Sequence, residues 1–594
     1  MILPVARLAP GAPEYRVRPA RPAFRDGIPY SEEYGDVYHS VAGGPAQARH
    51  VFLRGNGVPE RWQGRERFVI FETGFGIGLN FLVTLQEWRR DPRRCRRLHY
   101  VAIEKHPFSS GDLKILHEKY SELSEEATDL HAVYPPLVPG GHRLELGGVV
   151  LTLFFADIKV ARDLRLAADA FYLDGFAPER NPEMWTPQSM RALSRLAARD
   201  ATVATWSVAA SVRHALEETG FAVEKRPGFG GKREMLVARS LKGKEFISSK
   251  DRSATVIGAG LAGAAVCERL CARGWDVTLY ERHARPAEEA SGNHAGTFHP
   301  IVTPDDSQFA RLTRVGFLTS LSRWKDLENL KWDRCGVLQL ARNRKEDDSQ
   351  RRAVAGLPVE YVQYVTREEA SAHAGVPVAA GGVWFPRAGW IQPRALVEAQ
   401  LAACGRRLHR RFSSEARELE KDGTVILANS AEAPNLHLVP NLRLRRVRGQ
   451  LTYVPEHMIA APRVVLLRGG MVLPPVDGIC VVGATYDLED EDPLPRAEGH
   501  AANLDRLEQI LSVKPQGAFG GRVGFRAVKP DRLPVVGKIA ENVYGAFAYG
   551  SRGLVWAALA AEIIAAELEG EPLPVEGALA DALHPGRFAL RERR

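Results

Sequence analysis

The sequence predicts an α/β protein built from two Rossmann-like units in tandem, the second interrupted by a β-rich segment. Three observations carry this. Apolar strand-like runs alternate with helix-like runs along most of the chain. Two glycine-rich turns, Glu72-Thr73-Gly74-Phe75-Gly76-Ile77-Gly78 and Gly258-Ala259-Gly260-Leu261-Ala262-Gly263, each leave such a strand and open a helix. Finally, 594 residues exceed one ordinary core, and at roughly 100–200 residues per domain the length asks for three or four structural units.

The first twenty-odd residues, rich in proline and arginine, are expected to be poorly ordered. From Arg67 the pattern gives a strand over 68–71, a helix from Leu79 to about Trp88, and a strand over 98–103 ending in Glu104. Further strands are expected over 149–155, 170–173, 201–206 and 234–238, which makes a mostly parallel sheet covered on both faces. A lysine- and serine-containing stretch over 241–252 serves as a linker between a domain over 1–240 and one over 253–594. The second unit opens with a strand over 254–257, a helix over 262–273 and a strand over 276–280 that ends at Glu281. From about 330 to 515 the segments are short, β-rich and punctuated by turns, so a separate sheet subdomain is expected there. The nucleotide fold then resumes with a strand over 543–549, the turn Gly550-Ser551-Arg552-Gly553 and a helix over 554–568.

Composition narrows the class. Hydrophobic content of 45% and charged content of 26% suit a soluble globular protein. No apolar run reaches the ~20 residues that cross a bilayer, and the amino terminus lacks a secretory pattern, so a cytoplasmic protein without membrane contact is expected. The six cysteines show no metal spacing, so no metal site is expected; Cys267 and Cys271, one helical turn apart, are expected as buried thiols. A net charge of +8 permits nucleic-acid binding without requiring it. Arginines bunch over 89–97, 406–411, 443–448 and 591–594, and guanidinium forks suit phosphate geometry.

The first turn lets bare backbone at Gly74, Gly76 and Gly78, with Glu72 before them, approach a ligand closely. Glu104 lies where a ribose-binding acid belongs, and Asp157 ends the next parallel strand, where it can accept from an adenine amino group. Without the lysine and serine pair of a triphosphate site, this set favours S-adenosylmethionine over ATP. Asp174-Gly175-Phe176-Ala177-Pro178 falls on the same sheet edge, so the Asp174 carboxylate can orient an amine and take its proton, while Phe176 or Trp185 faces the sulfonium or a stacked base.

These residues carry a resemblance. Residues 71–81, 174–185 and Gly228-Phe229-Gly230-Gly231-Lys232-Arg233-Glu234-Met235-Leu236 resemble the methyltransferase half of the bifunctional tRNA 5-methylaminomethyl-2-thiouridine biosynthesis proteins. The chain departs from that family at Ile77, commonly Thr, and carries Gln47 near where a glutamate is common.

In the second turn Gly258, Gly260 and Gly263 supply the tight bend, the approach to pyrophosphate and the close helix contact, and Glu281 stands where a ribose-binding acid belongs. FAD is favoured over NAD because Ser551, Arg552 and Gly553 put a helix amino end where it can face a flavin. Ala290-Ser291-Gly292-Asn293, Val447-Arg448-Gly449-Gln450, Gly524-Phe525-Arg526-Ala527 and Gly550 to Gly553 resemble the oxidoreductase half of the same family and, more distantly, glycine and D-amino-acid oxidases. That resemblance implies Ser291 and Asn293 at the cofactor, Arg448 at the substrate, and Arg526 gripping a substrate carboxylate bidentately. It also implies a substrate: the carboxymethylaminomethyl arm of a tRNA wobble uridine, oxidised at its Cα–N bond and hydrolysed to aminomethyl uridine, then N-methylated by the front domain, all on one chain acting as a monomer. Two other readings stay open: a small-molecule methyltransferase fused to a free amino-acid oxidase, and a tRNA-binding scaffold that keeps both cofactors as structural ligands.

Overall fold

The computed structural model describes residues 16–244, 251–416, 423–436, 442 and 444–587. The expected linker lies partly outside them, as do Arg443, the arginines at 591–594 and the first fifteen residues. Two units divide the chain: the front one holds the described residues 16–244 and 568–578, the rear one 251–567 and 579–587.

In the front unit β1 (Arg67–Glu72) is buried almost along its length, as a central parallel strand with both faces covered must be. It is followed by β2 (Arg97–Glu104), β3 (Gly140–Leu146), β4 (Val149–Phe155), β5 (Ala168–Tyr172), β6 (Ala197–Thr205), β7 (Phe221–Pro227) and β8 (Glu234–Ser240). The sheet order is β7-β8-β6-β5-β1-β2-β4-β3. The five strands from β6 to β4 run parallel, β3 and β8 pair antiparallel with the two ends of that run, and β7 pairs antiparallel with β8. One apolar cluster packs the helix Leu79–Arg90 against one face, and a second packs the helices Pro187–Arg195 and Ala210–Glu218 against the other.

The rear unit's nucleotide sheet consists of β9 (Ser253–Ile257), β10 (Asp276–Tyr280), β11 (Leu408–Arg411), β12 (Thr424–Leu427), β13 (Val535–Ala540) and β14 (Val543–Phe547), in the order β11-β10-β9-β12-β14-β13. All pairs are parallel except β13 with β14. The β-rich segment forms a nine-stranded sheet, whose longest strands, Arg445–Pro455 and Gly520–Val528, pair antiparallel over nine residues. It differs from the expected contiguous insertion over 330–515. β11 and β12 lie within that span yet join the nucleotide sheet, and Gly520–Val528 lies past its end. Leu408–Arg411 was hidden by its charge: as an edge strand with only one partner it tolerates the arginines that a central strand would exclude.

Residues 568–578, from far along the chain, complete the front unit. Leu573 N donates to Arg165 O (3.1 Å), Gly577 N to Asp163 O (2.6 Å), and Ala578 N to the Asp163 carboxylate (3.0 Å). Glu571, buried, pairs with Arg97 (3.1 Å) and lies 3.5 Å from His99. Cys267 and Cys271 are buried and free.

Candidate functional site

The front sheet reverses its order at β1, with β2 on one side and β5 on the other, so a crevice opens beyond its carboxyl end. The first glycine turn lies there. Gly76 (φ 54°) and Gly78 (φ 74°) adopt the left-handed conformation, and a Cβ on Gly74 would stand 3.0 Å from the Asp174 carbonyl. Glu104 accepts Gly76 N (2.6 Å) and His106 N (2.8 Å), so the strand-end acid shapes the turn as well as facing the ligand space. Thr73 Oγ1 donates to Asp174 O (2.8 Å), tying the turn to the loop after β5.

A cavity of about 770 Å³ covers this edge, bordered by Gly74, Gly76, Glu104, Asp157, Asp174, Phe176 and Trp185 among others. Asp157 is met by Lys105 Nζ (3.2 Å) and Lys159 N (3.1 Å); burial opposes its charge, but these donors outweigh it and hold the carboxyl below its usual range. Asp174 accepts Gly175 N (2.9 Å) and Asn80 Nδ2 (2.7 Å), yet burial pushes its pKa up to about 6. That is a poised base. The same Asn80 amide donates to Glu72 Oε1 (2.7 Å), whose carboxyl is raised well above the ordinary range by burial, with Asp174 adding to the effect. Burial and the neighbouring Asp174 thus favour the protonated form of Glu72.

Two expected contacts are corrected here. Glu72 does not border the cavity, because the last side chain of β1 is fully buried and turned to Asn80. Gly78 caps the helix Leu79–Arg90, where a Cβ would press on the Phe75 ring at 2.7 Å; it shapes the turn without bordering the cavity. Trp185 is buried and spends its indole N–H on Phe176 O (3.0 Å), bracing the loop that carries Asp174. Phe176 stacks on Tyr34 (centroids 4.6 Å apart) and meets Tyr38 edge-on (5.2 Å).

The rear sheet repeats the plan. β9 has β10 on one side and β12 on the other, and the second glycine turn leaves its carboxyl end. Gly258 has φ 102°, and a Cβ there would stand 2.8 Å from Ala428 O. Glu281 accepts Ala259 N (2.8 Å) and His283 N (3.0 Å), the arrangement Glu104 makes in front. Ser291 Oγ accepts Leu261 N (3.1 Å), a donor at the amino end of the helix Leu261–Ala272. Gly263 does not border the cavity: its helix packs so closely on the turn that a Cβ would collide with the Gly258 carbonyl.

The rear cavity, about 840 Å³, runs from Gly258, Gly260, Glu281, Ser291 and Asn293 to Ser551, Arg552, Gly553 and Arg526. Burial lowers Arg552 to about 10, so it stays cationic at neutral pH. Burial, with Arg552 beside it, lowers His299 to about 3, so the imidazole that borders the same cavity is uncharged. Arg526 donates through Nη1 to Thr485 O (3.1 Å) and lies across Gly449, where any Cβ would collide with the guanidinium. Arg448, expected at the substrate, is corrected: its buried guanidinium is spent on Asp487 (3.1 Å), Gln450 (3.2 Å) and the carbonyls of Asp492 (2.8 Å) and Leu494 (2.6 Å).

The arginine clusters are largely structural where described. Arg89 pairs with Asp129, Glu125 and Glu126, Arg96 with Glu66, Arg97 with Glu145 and Glu571, and Arg407 with Asp276. Several site residues escaped the sequence reading. Asn80 and Lys232 sit inside the motifs already singled out; Lys232 borders the front cavity and donates to Trp206 O (2.8 Å). Tyr34 and Tyr38 come from a small three-stranded sheet, Phe24–Arg25, Ile28–Ser31 and Asp36–Val37, whose Asp26-Gly27 hairpin turn was a readable signal.

The residues present fit both cofactors. In front, a strand-end acid, a bare glycine turn and an aromatic wall suit an adenosyl sulfonium; behind, a helix amino end, a second strand-end acid and the distant Gly550–Gly553 turn suit an extended flavin dinucleotide. Family comparison agrees. Residues 253–567 match the FAD dependent oxidoreductase family, and residues 121–240 an S-adenosyl-L-methionine-dependent methyltransferase family. The tRNA 5-methylaminomethyl-2-thiouridine biosynthesis bifunctional protein MnmC of Paraburkholderia phytofirmans is 46% identical, covering 97% of this chain and 98% of its own. The protein of that name from an Azoarcus species is 45% identical over 97% and 99%. Among solved structures, glycine oxidase of Geobacillus kaustophilus (19% identical, 56% of this chain and 98% of that one, TM-score 0.47) and MNMC2 of Aquifex aeolicus (27%, 39% and 72%, TM-score 0.32) are similar to it.

Proposed function

We propose, from the premise that this chain belongs to the family of bifunctional tRNA 5-methylaminomethyl-2-thiouridine biosynthesis proteins, that its two cavities act in sequence on one wobble uridine. The rear unit removes the carboxymethyl arm of 5-carboxymethylaminomethyl-(2-thio)uridine, and the front unit methylates the amine so exposed. One observation carries the reading. Each cavity joins a glycine turn and a strand-end acid to a group suited to its step, Arg526 for a carboxylate and Asp174 for an amine proton.

FAD, when bound, supplies the two-electron acceptor for oxidation of the arm's Cα–N bond. Arg526 keeps Nη1 on Thr485 O and retains donors for the carboxylate, fixing the arm for reaction. Oxidation gives an imine, and water then releases glyoxylate and the primary amine.

S-adenosylmethionine supplies the methyl group in front. The amine's lone pair takes the methyl from sulfur, S-adenosylhomocysteine leaves, and the proton lost by nitrogen goes to Asp174. Asn80 holds the Asp174 carboxylate in one orientation, and the same amide ties it to the buried Glu72 behind it. The cofactor contacts proposed are Gly74, Gly76, Glu104 and Asp157 in front, and Gly258, Gly260, Glu281, Ser291, Asn293, Ser551, Arg552 and Gly553 behind, with Phe176 and Trp185 beside the front substrate.

Among the described residues no helix is long and apolar enough to cross a membrane. We place the enzyme in the cytoplasm, where tRNA is, and read it as acting as a monomer. The test is nucleoside mass spectrometry of tRNA from a strain lacking the gene, incubated with the purified flavoprotein. Without S-adenosylmethionine the aminomethyl nucleoside accumulates, and with it the methylaminomethyl nucleoside replaces it. A carboxymethylaminomethyl nucleoside that persists unchanged refutes the oxidative step.

A further inference from the structure

Tyr486 borders the rear cavity yet keeps 56% of its surface exposed. Leu488 and Leu494 on the same segment are exposed as well (54% and 67%), so the ring is one of a group of open apolar side chains on one element and not an isolated surface residue. The element is rigid. Thr485 N donates to Gln450 O (3.1 Å), Gln450 N donates back to Thr485 Oγ1 (3.0 Å), and Thr485 Oγ1 donates to Asp487 Oδ2 (2.7 Å). The buried Arg448 then clamps Asp487 and the carbonyls of Asp492 and Leu494, fixing the loop after Tyr486 as the Thr485 bonds fix it before.

Position supplies the second argument. The Arg526 guanidinium lies 5.8 Å from the centre of the Tyr486 ring. In the substrate proposed above, four bonds separate the carboxylate carbon from C5 of the uracil ring, about 5 Å when extended. A carboxylate held by Arg526 therefore leaves the pyrimidine within reach of the Tyr486 face. Bases splayed from an RNA loop are commonly received by such aromatic faces.

We infer that Tyr486 is the stacking platform for the wobble pyrimidine in the oxidative step, the ring of Tyr486 receiving the base while Arg526 holds the carboxylate. This rests on the proposed tRNA reaction and adds the residue that recognises the base. Arg448 is the positioning residue that holds the platform in place.

The test is anaerobic flavin reduction in the full-length flavoprotein, followed by absorbance over a range of tRNA concentrations, with tRNA bearing 5-carboxymethylaminomethyl uridine. Tyr486→Ala is expected to raise the tRNA concentration for half-maximal rate about tenfold while the limiting rate changes little, since stacking binds ground and transition states alike. Tyr486→Phe and Tyr486→Trp are expected to restore it. Flavin content and melting temperature report folding, and an exposed side chain leaves both unmoved. An unchanged concentration dependence in Tyr486→Ala overturns the inference, and so does a Phe variant as impaired as Ala, which would assign the role to the hydroxyl. Failure of the wild-type flavin to be reduced would instead remove the tRNA oxidation reading itself.

Discussion

Replacing Asn80 by Leu removes the amide that donates to Asp174 while keeping the number and branching of heavy atoms, and the pH profile of methyl transfer is expected to register the loss. A hydrogen bond to a charged group contributes about 1.5–3 kcal/mol. Each 1.36 kcal/mol moves a pKa by one. Asp174, at about 6 in the native site, is therefore expected to rise to roughly 7–8 in the variant. The sign follows from which form is held: Asn80 stabilises the carboxylate, so its loss favours the acid, and the base is missing over a wider acidic range. At pH 6.5 the ionised fraction falls from about three-quarters to about one-tenth, an expected rate loss of roughly eightfold, and the two enzymes converge near pH 9. Single-turnover transfer from labelled S-adenosylmethionine to tRNA bearing aminomethyl uridine, from pH 5.5 to 9, measures this. Titration of the substrate amine is common to both enzymes and cancels in their ratio. A rate ratio constant across pH, or an acid limb that moves downward, refutes the reasoning.

Other perturbations separate the roles of individual residues. Asp174→Asn is expected to lower the methyl-transfer rate about 10²–10⁴-fold at every pH while oxidation of the arm persists, a split that nucleoside analysis resolves. Gly263→Ala drives a Cβ into the Gly258 carbonyl, so flavin is expected to be lost on purification while S-adenosylmethionine binding by calorimetry is retained. Arg448→Met leaves Asp487 and two carbonyls without their donor and is expected to cost about 3–5 kcal/mol in denaturant unfolding of the rear unit. Arg526→Lys, losing the fork, is expected to keep the melting temperature and lower the flavin-reduction rate constant per tRNA concentration by 10- to 100-fold, about 1.4–2.7 kcal/mol. His99 is lowered to about 4 chiefly by burial, so the unfolded chain takes up its proton first, near 6.5. Its contribution is complete above about pH 6.5 and declines as pH falls towards 4, by about 2 kcal/mol at pH 5. His99→Gln is expected to flatten that part of the stability profile.

Much of this architecture was legible because central parallel strands are apolar on both faces and announce themselves. β1, β2, β4 and β10 appear in the sequence within a residue or two of where they lie, and both glycine turns sit at the strand ends that the sheet order requires. Edge strands were harder. Gly140–Leu146 and Phe221–Pro227 carry glycine, proline or alternating charge, and only their partners make them strands. Direction of side chains was the other blind spot. Glu72 and Arg448 stand beside residues that do face a cavity, and adjacency in sequence says nothing about which side of a strand a group takes until its register is known. Tyr486 carried no motif at all; its interest arises from a loop that Thr485 and the buried Arg448 hold in place.

The eleven residues from Leu568 to Ala578 have a practical consequence for dissection. Cutting near residue 245 is expected to destabilise the amino-terminal fragment. Such a piece loses the carboxylate that Arg97 and His99 lean on, and it bares the backbone of Asp163 and Arg165. Sluggish behaviour in that fragment would therefore speak of a missing splint and not of catalytic interdependence, and supplying the short peptide in trans is the cheapest way to tell them apart.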